Sequence, residues 1–537
     1  MRRRGQHEDY RNIIRVIITA LALLLQVALF AHLVIYLSEL SPIFYAINMA
    51  TAIAVILHIV NRPIQVNYKL AWIILISIVP IVGGIFYLFY GNPRRSPQVQ
   101  ARLSAKDVLL ARAFEAELAN PVPLPDEAMA ARQVRYLLES TGYPLCRGDT
   151  EAVYLPSGEA QFAAMLAALE SARDFIYMEY FIISEGEMWD AVFAILAAKA
   201  AAGVDCRVIY DDIGSMHFLP PNFVRSLTEA GVRVLTYNPL RLALTLRYNN
   251  RDHRKILLVD GRIAMTGGTN IADEYINRKL RFGHWKDTGI ILQGPAAWNF
   301  QVMYLSLWSE LSGEAVDLPQ ARRHSRAALD RLAEGERLDL APYALPHSAA
   351  AAAPTGGWLL PFDDTPHDAD HQAATLYRSM INHATRTIDI MTPYLVIDDE
   401  MVNALTSSAR SGVRIRIITP HIPDKPYVHA ATRSYYSILI EHGIEIYEYT
   451  PGFIHAKSLI VDRSTAVIGT VNFDYRSLYL HMENAVWLHR CPMIADMTRD
   501  FEETVVVSEL ITYESVRRVS IPVRLARSLL RVISPLL

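Results

Sequence analysis

Two short runs carry residue types that could do chemistry together. In the first, His253 and Lys255 are followed by Asp260, Gly267 and Asn270; in the second, His455 and Lys457 are followed by Asp462, Gly469 and Asn472. Counted from each histidine, the offsets are the same in both runs: 2, 7, 14 and 17 residues. One His-x-Lys-x4-Asp run is most simply a core strand with polar ends. Two copies with matching offsets are not explained that way, and they point to phosphoryl chemistry. One imidazole can attack phosphorus while a second protonates the leaving oxygen. Two ammonium groups and two side-chain amides supply hydrogen-bond donors to the non-bridging oxygens as charge develops. With four such donors no metal and no other cofactor is expected. A carboxylate behind each imidazole would hold its tautomer. Asp287 and Glu483 follow their motifs at roughly the right remove and are the candidates for orienting the histidines.

Such a site must be positioned by strands. If "HRKILLVD" and "HAKSLIVD" are strands, His and Lys two residues apart point to the same face. The glycine then permits a tight turn, and the asparagine re-enters near that face. The surrounding text alternates between strand and helix signals: "DFIYMEYFI", "MWDAVFAILAAKAAAG", "VDCRVIYDD", "FVRSLTEAG" and "VRVLTYNP" precede the first run. "RTIDIMTPYLV", "EMVNALTSSARSG", "VRIRIITPH", "YYSILIEHG" and "IEIYEYTPG" repeat that order before the second. The alternation predicts an α/β fold in two similar halves, a mixed sheet flanked by helices in each, sharing one active site. Their bounds are read as 141–320 and 358–510. An Ala- and Pro-rich stretch at 321–357 is expected to be a helix followed by a flexible linker.

The rest of the chain bounds the class. Of 537 residues, 52% are hydrophobic, which is high for a soluble protein. Three apolar runs, Ile13–Leu37, Ile43–Val60 and Leu70–Tyr90, read as an N-terminal membrane anchor within residues 1–95 with two or three hydrophobic helices. Pro80, Gly83 and Gly84 interrupt the third and make it a candidate half-span. Arginines at 2, 3, 4, 11 and 15, and again at 94 and 95, ask for a cytoplasmic location at both ends of the anchor. Residues 96–140 read as a helical connector. The segment 511–537, with Arg517, Arg518, Arg524, Arg527 and Arg531 among aliphatic residues, reads as a basic amphipathic helix against anionic membrane lipid. A net charge of only −3 gives no electrostatic footprint for nucleic acid. Three widely spaced cysteines exclude a disulfide framework or a Cys-rich metal site. The sequence leaves a homo-oligomer open.

The paired motifs resemble the two signatures of the phospholipase D superfamily. The wider text ("NNRDHRKILLVDGRIAMTGGTNIADEY", "FGHWKDTGI", "GFIHAKSLIVD", "IGTVNFDYRSLYLHMEN") is similar to bacterial cardiolipin synthases, over nearly the whole chain. The resemblance implies a transferase of the bacterial inner membrane that passes a phosphatidyl group from one phosphatidylglycerol through a phosphohistidine to a second, giving cardiolipin and glycerol. A hydrolase of the same type, or a transferase with another alcohol acceptor, stays open, with a membrane-anchored nuclease the more distant alternative. By the same resemblance the catalytic set is His253, Lys255, Asp260, His455, Lys457 and Asp462. His253 is expected to be the nucleophile and His455 the general acid and base. Lys255, Lys457, Asn270 and Asn472 would bind phosphate. Asp260 and Asp462 would act as partners within the motif rather than as proton carriers. The sequence departs from the superfamily pattern where a serine is common: Gly268 and Thr470 stand there instead.

Overall fold

The computed structural model describes residues 28–29, 32–33, 35–36, 41–62, 66–90, 97–239, 250–348, 356–368 and 370–533. It divides into two compact units, one formed by residues 1–94 with 532–536, the other essentially by 95–531.

In the first unit, most of the run 13–37 lies outside the described residues. The helix Pro42–Val60 is long and apolar enough to cross a membrane. The third run is not one helix. It breaks before Pro80 into Val66–Ile78 and Pro80–Tyr90, because proline has no N–H to donate and crowds the preceding turn. Gly83 then approaches the backbone of Ile76 so closely that a Cβ would stand 2.8 Å from Ile76 Cα. Ala52, Ile59, Trp72, Ile76 and Tyr87 fill the small core between these helices.

Among its described residues the second unit holds two large sheets and two two-stranded ones. The strands of the first half are β1 (Cys146–Arg147), β2 (Glu151–Leu155), β3 (Phe175–Tyr180), β4 (Asp205–Asp211), β5 (Arg233–Tyr237), β6 (Lys255–Val259), β7 (Ile263–Gly267), β8 (His284–Lys286) and β9 (Gly289–Gln293). Those of the second are β10 (Trp358–Asp364), β11 (Thr387–Met391), β12 (Leu395–Val396), β13 (Arg414–Pro420), β14 (Glu445–Tyr449), β15 (Gly452–Ile454), β16 (Ser458–Val461), β17 (Thr465–Gly469), β18 (Phe473–Asp474), β19 (Glu483–His489) and β20 (Ser508–Leu510). The first sheet runs β2-β9-β7-β6-β3-β4-β5, and the second β1-β10-β19-β17-β16-β11-β13-β14-β20; the two-stranded ones pair β12 with β18 and β15 with β8. The shared order β9-β7-β6-β3-β4-β5 and β19-β17-β16-β11-β13-β14 is the expected duplication, parallel over the last three strands and antiparallel elsewhere. β1 leaves the first half to pair with β10 of the second.

Both faces of the first sheet are buried, and the two-residue period sorts them. Phe175, Tyr177, Ile256, Leu258, Ile290 and Leu292 join a core shared with the second half. Ile176, Met178, Leu257, Val259 and Ile291 pack into a separate core under the helices Gly158–Glu170 and Glu187–Ala201. The stretch 321–357 opens inside the helix Leu318–Ala333, and the C-terminal helix is Ile521–Ile533.

The strands place the motif aspartates away from the histidines. Seven residues of strand extend roughly 23 Å, so Asp260 lies at the far end of β6. Its carboxylate accepts the backbone N–H groups of Arg173 (3.0 Å), Asp174 (2.8 Å) and Phe175 (2.9 Å) and so ties β6 to the start of β3. Asp462 does the same at the start of β11, accepting from the backbone of Thr385 (2.9 Å), Arg386 (2.7 Å) and Thr387 (3.0 Å). Neither side chain touches the reacting groups, which corrects their place in a catalytic set. Asp260→Ala is therefore expected to cost about 2 kcal/mol or more of stability by stranding three N–H groups, seen as a lowered melting temperature. The folded fraction should keep its specific activity. A thousandfold loss of turnover at an unchanged melting temperature would sink this assignment.

Candidate active site

Neither motif histidine lies within a strand. His253 sits two residues before β6, and His455 just after β15. What fixes them is backbone from the opposite half. His253 N–H donates to Met482 O (2.9 Å) and Met482 N–H to Arg251 O (2.8 Å). On the other side β15 pairs in parallel with β8, and His455 N–H donates to Lys286 O (2.7 Å). Each histidine thus stands on a seam between halves.

The carboxylates are exchanged across that seam. Glu483 of the second half holds His253 Nδ1 at 2.9 and 3.0 Å. Asp287 of the first half holds His455 Nδ1 at 2.7 Å. With Nδ1 anchored, Nε2 of each imidazole is left for chemistry. Both rings are over nine-tenths buried, and His253 and His455 are close enough for each motif's charges to act on the other. Lys255 Nζ donates to His253 O (2.6 Å), and Lys457 Nζ to His455 O.

The absence of a serine at the two departing positions has different consequences. Thr470 donates its hydroxyl to Glu483, bracing the carboxylate that holds His253. At Gly268 a Cβ would stand 2.0 Å from Asp287 Oδ1, so no side chain fits. The glycines one residue earlier make no turn. Gly267 lies at the end of β7 against Gly289, and Gly469 at the end of β17 against Ala485. Their neighbours leave 2.6 Å and less for a Cβ, so close strand approach demands the glycine.

Asn270 is already committed within the protein. Its Oδ1 accepts from Ile182 N–H (3.0 Å) and its Nδ2 donates to Tyr275 OH (2.7 Å), leaving one amide hydrogen for a ligand. Asn472 Oδ1 is buried without a hydrogen-bond partner. Two other acids near the motif are structural. Asp211 caps Gly214 N–H (2.9 Å) and pairs with Arg251 (3.1 Å), and Glu179 pairs with buried Arg254 (2.6 Å). One residue of the site carries no motif signal: His481, whose ring centroid is 5.6 Å from that of His253. Its two-residue spacing from Glu483 is the clue in the sequence.

Burial dominates the charges. It lowers His253 well below the ordinary imidazole value, with Lys255 adding to the effect, and takes His455 down to about 4, with Asp287 opposing. The same desolvation brings Lys255 to about 7 and Lys457 to about 8, and raises Glu483 to about 8. The lysines are cationic below these values and lose charge as pH rises through them. Glu483 ionises over the same interval, so the site loses positive charge and gains a negative one together. The free enzyme's kcat/KM is therefore expected to decline between about pH 7 and pH 8, with its acid limb below 6.5, in a pH–rate profile. A profile flat to pH 9 would show that the lysines keep their charge.

Two duplicated α/β halves, with a histidine and lysine from each meeting at one seam, define a phospholipase D-like phosphotransfer enzyme. Residues 165–284 and 377–505 match the family described as "Cardiolipin synthase, PLD-like domain", and residues 50–92 match a phospholipase D-nuclease N-terminal family. The chain is 33% identical over 491 residues to a cardiolipin synthase of Geobacillus kaustophilus, covering 90% of this chain and 91% of that one. It is 32% identical to cardiolipin synthase 2 of Bacillus anthracis, covering 87% and 86%. The crystal structure of phosphatidylserine synthase from Haemophilus influenzae shares the fold, with a TM-score of 0.55 at 13% identity, covering 76% of this chain and all of that one. The chain belongs to the cardiolipin synthase family of the phospholipase D superfamily. It is a phosphatidyltransferase of phospholipid biosynthesis and, with its apolar N-terminal helix, a membrane protein.

Proposed function

We propose that this chain condenses two phosphatidylglycerol molecules to cardiolipin and glycerol by two displacements at one phosphorus. His253 Nε2 attacks the donor phosphorus while the glycerol oxygen leaves, taking a proton from His455. The P–N bond of phosphatidyl-His253 is then broken by a head-group hydroxyl of the second lipid, whose proton returns to His455. Lys255, Lys457, Asn270 and Asn472 stabilise the non-bridging oxygens in both steps. The exchange of carboxylates across the halves is the observation that carries this reading. It holds both imidazoles by Nδ1 at one site, as a nucleophile and an acid facing one phosphorus require.

The test is incubation of the purified full-length protein with phosphatidylglycerol alone in EDTA, followed by lipid mass spectrometry. Cardiolipin with an equimolar amount of glycerol supports the reading. Phosphatidic acid alone would make the enzyme a hydrolase.

The catalytic part is placed on the cytoplasmic face of a bacterial inner membrane. The broken third run supports this, because a re-entrant segment lets an even number of crossings return Arg94 and Arg95 to the side of the N-terminal arginines. The C-terminal helix supports contact with anionic lipid, since Val523, Leu525 and Leu529 are exposed beside its arginines. A periplasm-dependent phosphatase reporter fused at the C-terminus should be inactive, and an active one would reverse the topology.

A further inference from the structure

His481 has chemistry to offer that the reaction as drawn leaves unused. It is 8% exposed, and neither ring nitrogen has a hydrogen-bond partner. Beside it lie His253, Phe181 (ring centroids 6.5 Å apart) and Glu483, whose Oε1 is 3.9 Å from its Nδ1. Its backbone N–H donates to Arg476 O, and that of the next residue, Met482, to Arg251 O, both at 2.8 Å. Burial, together with the positive charges of Arg476, Lys255, Arg251 and Lys425, keeps the imidazole neutral. A neutral imidazole presents one donor and one acceptor. Leaving both unmet in a buried place is costly, so the ring fits a ligand that completes them.

The charge around the ring selects the kind of ligand. His253, His481 and Glu483 each offer an atom within 4.8 Å of the others, as a divalent cation would need. Such an ion would have to enter among the four positive charges around the ring. An anion meets the opposite field. The condensation supplies one, because the acceptor lipid brings a phosphodiester of its own while the lysines and asparagines of the motifs hold the phosphate under attack.

We propose that His481, with Arg476, forms a second anion subsite that receives the phosphodiester of the acceptor lipid and so favours a phosphate-bearing alcohol over a neutral one. This rests on the transferase reading above. Holding the acceptor by its phosphate restricts where its hydroxyl can lie relative to the phosphohistidine, and orientation of that kind is a large part of catalytic advantage.

The test is a competition between acceptors. Full-length protein in phosphatidylglycerol vesicles is given ethanol, and the ratio of cardiolipin to phosphatidylethanol is measured for wild type, His481→Ala and His481→Gln. The expected result is a ratio at least tenfold lower in His481→Ala, with a higher KM for acceptor phosphatidylglycerol. His481→Gln, which retains a donor and an acceptor, should lie between. A ratio unchanged in both variants overturns the proposal, whether the two products fall together or not at all. So does inhibition of wild type by zinc chloride that His481→Ala relieves without moving the ratio, since that would make the cluster a cation site. Wild type yielding no cardiolipin would instead overturn the transferase reading itself, before any variant is compared.

Discussion

Replacing His455 by alanine should trap phosphatidylated His253, provided the donor lipid carries a leaving group that needs no proton. With phosphatidylglycerol as donor, His253→Ala and His455→Ala should each lose activity by roughly 10³-fold or more, since each removes a group required in both displacements. A donor with a nitrophenyl leaving group separates them. Departure of nitrophenolate requires no general acid, so His455→Ala should release it in a burst equal to the enzyme present and then stall. Breaking P–N with an alcohol still needs a base to take the proton, the role assigned to His455. His253→Ala should give no burst. Rapid quench followed by peptide mass spectrometry would find the phosphorus on residue 253. A burst in His253→Ala, with label on residue 455, would reverse the two roles.

The two histidines are also held differently. Glu483, which holds His253, is braced by the Thr470 hydroxyl, while Asp287 faces Gly268 and is met by the N–H of Thr288 at 2.8 Å. The two seams therefore have the same plan and different electrostatics. Burial lifts Glu483 to about 8, whereas His455 at about 4 is depressed despite Asp287. Equal offsets in the sequence did not carry this difference.

What the sequence did carry was local or repeated. The paired offsets, the strand and helix order of each half and the break at Pro80 are all visible in short windows. The places of Asp260 and Asp462 were not: they stand at the far ends of their strands, on the backbone of Arg173 to Phe175 and of Thr385 to Thr387. The exchange of Asp287 and Glu483 was not visible. It depends on pairing of β8 with β15 and on the Asp252–Met482 bridge, both between residues of different halves. Such pairing has no period along the chain. His481 lay between these cases: its spacing from Glu483 is that of His253 from Lys255, yet only the packing shows its ring beside His253.

The exchanged carboxylates predict an effect that crosses the halves. Asp287 follows the first motif, but Asp287→Asn should disable the histidine of the second. The asparagine amide keeps nearly the same shape, yet as a neutral group it no longer favours the imidazolium, and it can present N–H₂ where Nδ1–H needs an acceptor. His455 would then be a weaker acid in the first displacement and misplaced as a base in the second. A loss of about 10²- to 10⁴-fold with phosphatidylglycerol is expected, as for other buried carboxylates that orient a catalytic imidazole. With the nitrophenyl donor, Asp287→Asn should retain the burst and stall afterwards, as His455→Ala does. Glu483→Gln should lose the burst, as His253→Ala does, because the tautomer with a free Nε2 is no longer held. If each carboxylate instead shared the phenotype of the histidine in its own motif, the 2.7 Å contact between His455 and Asp287 would not be the one that governs turnover. Since Asp287 and Glu483 come from opposite halves, the same result bears on assembly. Each half supplies the carboxylate that holds the other's histidine, so the site is complete only where two halves pair.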